Sequence, residues 1–233
     1  MRGYPAILTE GPVSLRPPTT RDGRAWAELQ TRNRAWLATW EATVPPENPY
    51  ARRLTYRELV RRGRKEAAAG RMMPFNIWYA EPVNEGTGPG PNTSPAAAVA
   101  AAAATTARRG PSRMVGQMNV TGITWGSLCS AHIGYWVDER VAGRGITPTA
   151  LAIVVDHCFT VIGLHRVEVN IRPENAPSRR VAEKLGFREE GVRRAYLHID
   201  NGWRDHIAYA ITAPEVPGGL LARWRSTQST SHI

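Results

Sequence analysis

The hexapeptide Arg140-Val141-Ala142-Gly143-Arg144-Gly145 constrains this chain more than any other stretch. It follows an apolar, aromatic, strand-like run, Ala131-His132-Ile133-Gly134-Tyr135-Trp136-Val137. It precedes a helix-like run from Thr149 to Val161, with apolar Leu151, Val154, Val155 and Cys158. A chain that passes from strand through a short loop into a helix presents N–H groups with no intrahelical partner, at the positive end of the helix dipole. Glycines in that loop let the backbone come close to a ligand. The arrangement predicts an anion site suited to a pyrophosphate. A nucleotide-hydrolase phosphate loop is excluded, because Gly145 is followed by Ile146 and Thr147 and no Lys. The dinucleotide-binding fingerprint fails too, since Pro148 stands where its third glycine belongs. Taken alone, the hexapeptide could still be an ordinary glycine turn.

The residues that follow extend the pattern. Gly163-Leu164-His165-Arg166 leads into a predicted strand, Val167-Glu168-Val169-Asn170-Ile171. Arg172 to Ser178 forms a loop into a second helix, Arg179 to Leu185, which Gly186-Phe187 stops. Arg188-Glu189-Glu190-Gly191 opens another strand. With the loop, the Asn-x-x-Ser segment Asn175 to Ser178 and Lys184-Leu185-Gly186-Phe187, the region Ile133 to Ile211 resembles the GNAT superfamily of acetyl-CoA-dependent N-acetyltransferases. The resemblance covers about a third of the chain. Asn201-Gly202-Trp203-Arg204-Asp205-His206 and the opening Val13-Ser14-Leu15-Arg16-Pro17-Pro18-Thr19, followed by Asp22, are similar to the RimJ/RimL branch, the ribosomal-protein-alanine N-acetyltransferases.

The resemblance implies an α/β (α+β) fold, the GNAT acyl-CoA N-acyltransferase fold, with a central mixed, mostly antiparallel sheet flanked by helices. It implies acetyl-CoA as cosubstrate and no metal. The pantetheine chain would run along the strand edge Tyr135, Trp136, Val137, and the Val137 N–H would face the developing oxyanion. The backbone of Arg140, Val141, Ala142, Gly143, Arg144, Gly145 and Ile146 would hold the pyrophosphate. Asn175 would bond the cofactor, or cap its helix, or both. Ser178 would protonate the leaving thiolate; the plain alternative is a first-turn hydroxyl bonded to backbone. Tyr196 is the catalytic alternative, with Tyr209 behind it.

A general base is not legible. RimL-like enzymes carry a Glu in the strand after Gly-Phe, where this chain has Arg194-Ala195-Tyr196-Leu197. Asp200, Asp205, Glu168 and His206 are the nearest candidates, with turn, ion-pair or packing roles expected for them. The acceptor implied is a protein N-terminal α-amine, plausibly an alanine of a ribosomal protein. A small-molecule amine and a catalytically silent acetyl-CoA-binding role in ribosome assembly are the competing readings.

At 233 residues the chain can bury a full core as a single domain. Hydrophobic residues make up 42%, no apolar run is long enough for a membrane span, and Met1-Arg2-Gly3-Tyr4-Pro5 lacks an apolar signal core. Cys129 and Cys158 show neither metal spacing nor a disulfide framework, which suggests the cytoplasm. The net charge of +10 suits an anionic cofactor or ribosome, and weak RNA contact, but also an arginine-rich solvated surface.

Along the chain, strands are expected at Val13–Arg16, Pro74–Ala80, Met114–Val120 and Ser130–Val137, and helices at Asp22–Trp40 and Leu54–Ala69. Residues 81–113, rich in Gly, Pro, Asn, Thr and Ala, lack large apolar side chains and are expected to form a disordered insertion. The tail, 226–233, is expected to be disordered as well.

Overall fold

The computed structural model describes residues 1–48, 52, 54–82 and 109–230. Eight strands form: β1 (Leu8–Glu10), β2 (Val13–Arg16), β3 (Met73–Pro82), β4 (Arg109–Thr124), β5 (Ser130–Val137), β6 (Arg166–Ile171), β7 (Arg188–Ile199) and β8 (Gly202–Thr212), with β2, β3, β6 and β8 carrying near-continuous buried runs as strands covered on both faces do. They form one sheet in the order β1-β2-β3-β4-β5-β6-β8-β7. All neighbours are antiparallel except β5 and β6. The mixed, mostly antiparallel sheet expected from the sequence is present.

The described helices are α1 (Gly23–Arg32), α2 (Arg34–Ala38), α3 (Tyr56–Ala68), α4 (Ile146–His157), α5 (Ala176–Leu185) and α6 (Leu220–Thr230). Helix α4 buries nearly every residue, including Ala150, Leu151, Ala152, Val154 and Val155. A helix apolar all round belongs in a core. Its partners there include Val115, Met118, Val167, Val169 and Ile211 of the sheet. Helix α3 starts at a capping box in which Glu58 N–H donates to Thr55 Oγ1 and Thr55 N–H donates to Glu58 Oε2.

Several boundaries differ from the sequence reading. The single helix expected over Asp22–Trp40 breaks at Asn33, which is 1% exposed. Its Nδ2 donates to Leu29 O at 3.0 Å, and its Oδ1 accepts from Glu139 N–H at 3.0 Å. Such side-chain bonds compete with helical continuation. Asp22 does not cap α1; it closes a capping box with Thr19 over the preceding turn, Thr20–Asp22. Strand β1 was not legible. The ends of the segment expected to be disordered, Glu81–Pro82 and Arg109–Arg113, belong to β3 and β4, paired across the ladder; residues 83–108 lie outside the described residues. The expectation of a disordered tail is corrected for Ser226–Thr230, which continue α6. Ser226 Oγ donates to Arg223 O and Thr227 Oγ1 to Trp224 O, both at 2.7 Å, so the polar side chains bond within the helix. Residues 231–233 lie outside the described residues.

The feature that makes room for a ligand is the β5–β6 pair. Its ladder has three rungs, Ser130↔Arg166, Ala131↔Val167 and His132↔Glu168. Strand β5 then stays with β4 as far as Gly116↔Val137, while β6 leaves. The sheet splits beyond His132. Gly116 keeps β4 tight against this part of β5. A Cβ there would sit 2.2 Å from Trp136 O and 2.9 Å from Val137 Cα, both backbone atoms. We expect Gly116→Ala to cost about 1–3 kcal/mol through overpacking, with a melting temperature lower by roughly 2–12 °C for a chain of this size. Differential scanning calorimetry checks this; an unchanged melting temperature would mean that β5 moves aside freely.

Candidate active site

A cavity of about 750 Å³ opens where the sheet splits. It is lined by Tyr135, Trp136 and Val137 of β5, by the loop and helix start from Val141 to Pro148, by Asn175 just before α5 and by Ser178 in its first turn. All the predicted site residues line it except Arg140 and Tyr196. Trp36, Trp40, Arg180, Lys184, Trp224 and Gln228 also line it and were missed from sequence. Arg180 and Lys184 stand four apart on α5, the spacing that puts two side chains on one helical face. That spacing was the available signal.

The loop is built around Asp138, 1% exposed at the end of β5. Its own N–H donates to Val115 O at 2.7 Å. Its carboxylate accepts from Arg140 N–H at 3.2 Å, from Arg140 Nη2 at 2.7 Å and from Arg32 Nη1 at 3.3 Å. Burial acts to raise its pKa, but the Arg140 hydrogen bonds and the two guanidinium charges hold it below the ordinary value. Arg140 thus turns to Asp138 and shapes the loop from behind. Val141 N–H and Ala142 N–H close a tight turn onto Asp138 O and Glu139 O.

The next amides are different. Among the described residues, the N–H groups of Gly143, Gly145, Ile146 and Thr147 have no acceptor; the first helical bond is Thr149 N–H to Gly145 O. Gly143 (φ +82°) and Gly145 (φ +74°) hold left-handed conformations that glycine adopts without strain. Four free donors at a helix N-terminus are a cradle able to receive an anion. These free amides run from Gly143 to Thr147, whereas the amides of Arg140, Val141 and Ala142 are engaged.

The open edge of β5 continues from the cradle. Asp138 N–H is used by β4, and strand alternation turns the Val137 and Tyr135 amides to the side that β6 has left. Across the cavity stands the start of α5. Asn175 caps it, with Oδ1 accepting from Ser178 N–H at 3.1 Å, while Nδ2 keeps no partner among the described residues. Ser178 Oγ has no hydrogen-bond partner among the described residues. The hydroxyl is therefore not spent on backbone, as the plain alternative required. Tyr135 reaches over from β5, its OH 3.5 Å from Ser178 O, and burial raises its phenol pKa, so it is a neutral donor.

The remaining candidates have other partners. Tyr196 OH accepts from Arg193 Nη1 at 3.1 Å, and its ring meets His206 edge-on at 5.5 Å. Tyr209, 2% exposed, lies between Arg179 Nε and Glu189 Oε2. Glu168 accepts from Arg166 Nε at 2.8 Å and Arg193 Nη2 at 2.5 Å; burial opposes its ionisation, yet these arginines hold its pKa below the ordinary value. Asp205 Oδ1 accepts from Ala195 N–H at 2.8 Å, and Asp200 sits in the β7–β8 turn. His206 Nδ1 lies 3.1 Å from Arg204 O, and burial lowers its pKa. Among the described residues, no group of His, Cys, Asp or Glu could hold a metal, and no helix is long and apolar enough to cross a membrane.

Known proteins share this architecture. The family model described as "Acetyltransferase (GNAT) domain" matches residues 13–188. A solved structure of Mycobacterium smegmatis RimJ in complex with CoA-disulfide is 34% identical, with 97% of each chain covered and a TM-score of 0.76. Probable N-acetyltransferase YjcK of Bacillus subtilis is 40% identical over 103 residues, 44% of this chain and 57% of that protein. The Escherichia coli [ribosomal protein uS5]-alanine N-acetyltransferase is 32% identical over 106 residues, 45% of this chain and 55% of that protein. The matches thus span about half the length of these curated relatives. Sheet order, split and loop agree with the match over residues 13–188, and the chain belongs to the GNAT acetyltransferase family.

Proposed function

We propose that this protein is an N-acetyltransferase of the RimJ/RimL type, which transfers the acetyl group of acetyl-CoA to the N-terminal α-amine of a protein. The observation that carries the reading is one continuous cavity joining three features: the free amides of Gly143–Thr147, the open β5 edge and the unengaged Ser178 hydroxyl. The cradle fits a pyrophosphate and the edge fits the amide-bearing pantetheine arm. Arg180 and Lys184 add positive charge on the same side. The RimJ structure holds a coenzyme A species, and the uS5-alanine enzyme acts on a ribosomal protein. An N-terminal alanine of a ribosomal protein is accordingly the acceptor we propose first. The basic surface, at a net charge of +10, would favour approach to a ribosome and its RNA.

The chemistry follows from the placement. The neutral amine attacks the thioester carbonyl carbon. The Val137 N–H faces the oxygen as its charge grows, a contribution of about 3 kcal/mol where such donors have been removed from other enzymes. The C–S bond breaks as the amide forms, Ser178 Oγ–H supplies a proton to the departing thiolate, and the amine's extra proton leaves to water, from which Ser178 regains its own. An α-amine has a pKa of about 8, so a useful neutral fraction exists at neutral pH without a strong base.

Release of free thiol from acetyl-CoA, measured over a panel of peptides and small amines, tests this reading. Turnover with Ala-initiated peptides, abolished by N-terminal blocking, is the expected result. Turnover with small amines alone would assign another acceptor class. Coenzyme A binding without turnover would leave only a binding module.

A further inference from the structure

The face of the sheet opposite Ser178 carries a second polar site, at the point where the strands part. His132 and Glu168 form the last β5–β6 rung. Side chains alternate along a strand, so the next residues on their face are Gly134 of β5 and Asn170 of β6. Tyr135, of opposite parity, points the other way, toward Ser178. Gly134 and Asn170 would be neighbours in a closed sheet, and here they flank the opening.

Two observations single this spot out. Asn170 Oδ1 is buried and accepts no hydrogen bond, while Asn170 Nδ2 lies 3.3 Å from His132 Nδ1. An unpaired buried acceptor is costly, and a ligand that donates to it recovers that cost. Gly134 has no reason to be glycine in the protein alone: its φ is not in the left-handed region, and an added Cβ would meet no atom within 4 Å. The missing side chain leaves clear space beside Asn170. Arg193, which pairs with Glu168, and Tyr196 stand on the same face.

We propose that Asn170 receives the acceptor's α-amine: the amine enters past Gly134, donates to Asn170 Oδ1 and meets the thioester from the face opposite the cofactor groove. This rests on the acetyltransferase reading above and adds the substrate-side contact to it. His132 acts as a positioning residue that holds the Asn170 carboxamide. The proposal accounts for the missing carboxylate at Arg194–Leu197: an uncharged acceptor binds the amine without stabilising its protonated form as a carboxylate would.

The test uses the full chain and an Ala-initiated tetrapeptide amide. Asn170→Leu keeps the branching and the number of side-chain heavy atoms and removes the acceptor; it should raise the peptide KM about tenfold or more, with the acetyl-CoA KM unchanged. Asn170→Asp keeps an acceptor and should restore the peptide KM to within a few-fold. Gly134→Val should raise the peptide KM with coenzyme A binding intact by calorimetry. Unchanged peptide KM in Asn170→Leu and Gly134→Val would overturn the site while leaving the activity standing. A second measurement does not need turnover or a variant that folds. In ¹⁵N-labelled wild-type protein saturated with coenzyme A, the free peptide should shift the Asn170 side-chain resonances, and its N-acetylated form should not. No shift, or equal shifts, would overturn the proposal even if the wild type acetylates nothing.

Discussion

Ser178→Ala is expected to lower kcat by about 100- to 10,000-fold, the usual contribution of a positioned general acid. The affinity for acetyl-CoA should change little. The expectation rests on geometry. The cap of α5 is made by Asn175 Oδ1 and the Ser178 N–H, which alanine retains. The hydroxyl itself has no hydrogen-bond partner among the described residues and lines the cavity. Stability should therefore stay within about 0.5 kcal/mol, as for a surface change that removes no cap. Steady-state kinetics and a thermal melt on one variant decide the matter. A stable variant with full activity would move the acid role to a phenol. Tyr135 would then be tested before Tyr196, because it lines the cavity and lies 3.5 Å from Ser178 O, whereas Tyr196 does neither.

Gly143→Asp should weaken coenzyme A binding by at least about 100-fold. Gly143 lies at φ +82°, and its N–H is one of the four free donors of the cradle. An aspartate there brings a carboxylate toward a pyrophosphate. Two like unit charges about 4 Å apart repel by about 4 kcal/mol at a dielectric typical of protein surfaces, and salt reduces this. Gly143→Ala separates strain from charge. An added Cβ meets no atom within 4 Å, so only the left-handed backbone is penalised, by about 1–2 kcal/mol. Calorimetry on both variants should show a mild loss for alanine and a severe one for aspartate. Equal losses would mean that loop conformation, rather than anion binding, is what Gly143 provides.

The sequence alone carried the local grammar. Ser130–Val137 is a strand with the bounds read from its apolar pattern, and Leu54–Ala69 differs by two residues at most from α3. The glycine loop opens a helix, and Asn175 caps the next one, because both signals lie within a few residues of the structure they specify. Elements depending on distant partners were not legible. Strand β1 is three residues long and exists through its pairing with β2. The break at Asn33 follows from a hydrogen bond to Glu139, 106 residues away. Arg140, whose backbone was expected at the pyrophosphate, has both its N–H and its guanidinium engaged by buried Asp138, whose surroundings no local pattern reveals.

What the sequence determined by itself was most of the central strands and helices and the loop chemistry, since helix caps, glycine conformations and apolar periodicity are short-range effects. What only the tertiary structure decided was the site. The β5–β6 ladder ends at His132, opening the edge of Val137. The order β6-β8-β7 puts Arg193 beside Glu168 and fixes the company that Asn170 keeps. Both depend on where strands far apart in the chain part or pair, and the free energy of that choice resides in packing between residues that no window along the sequence contains.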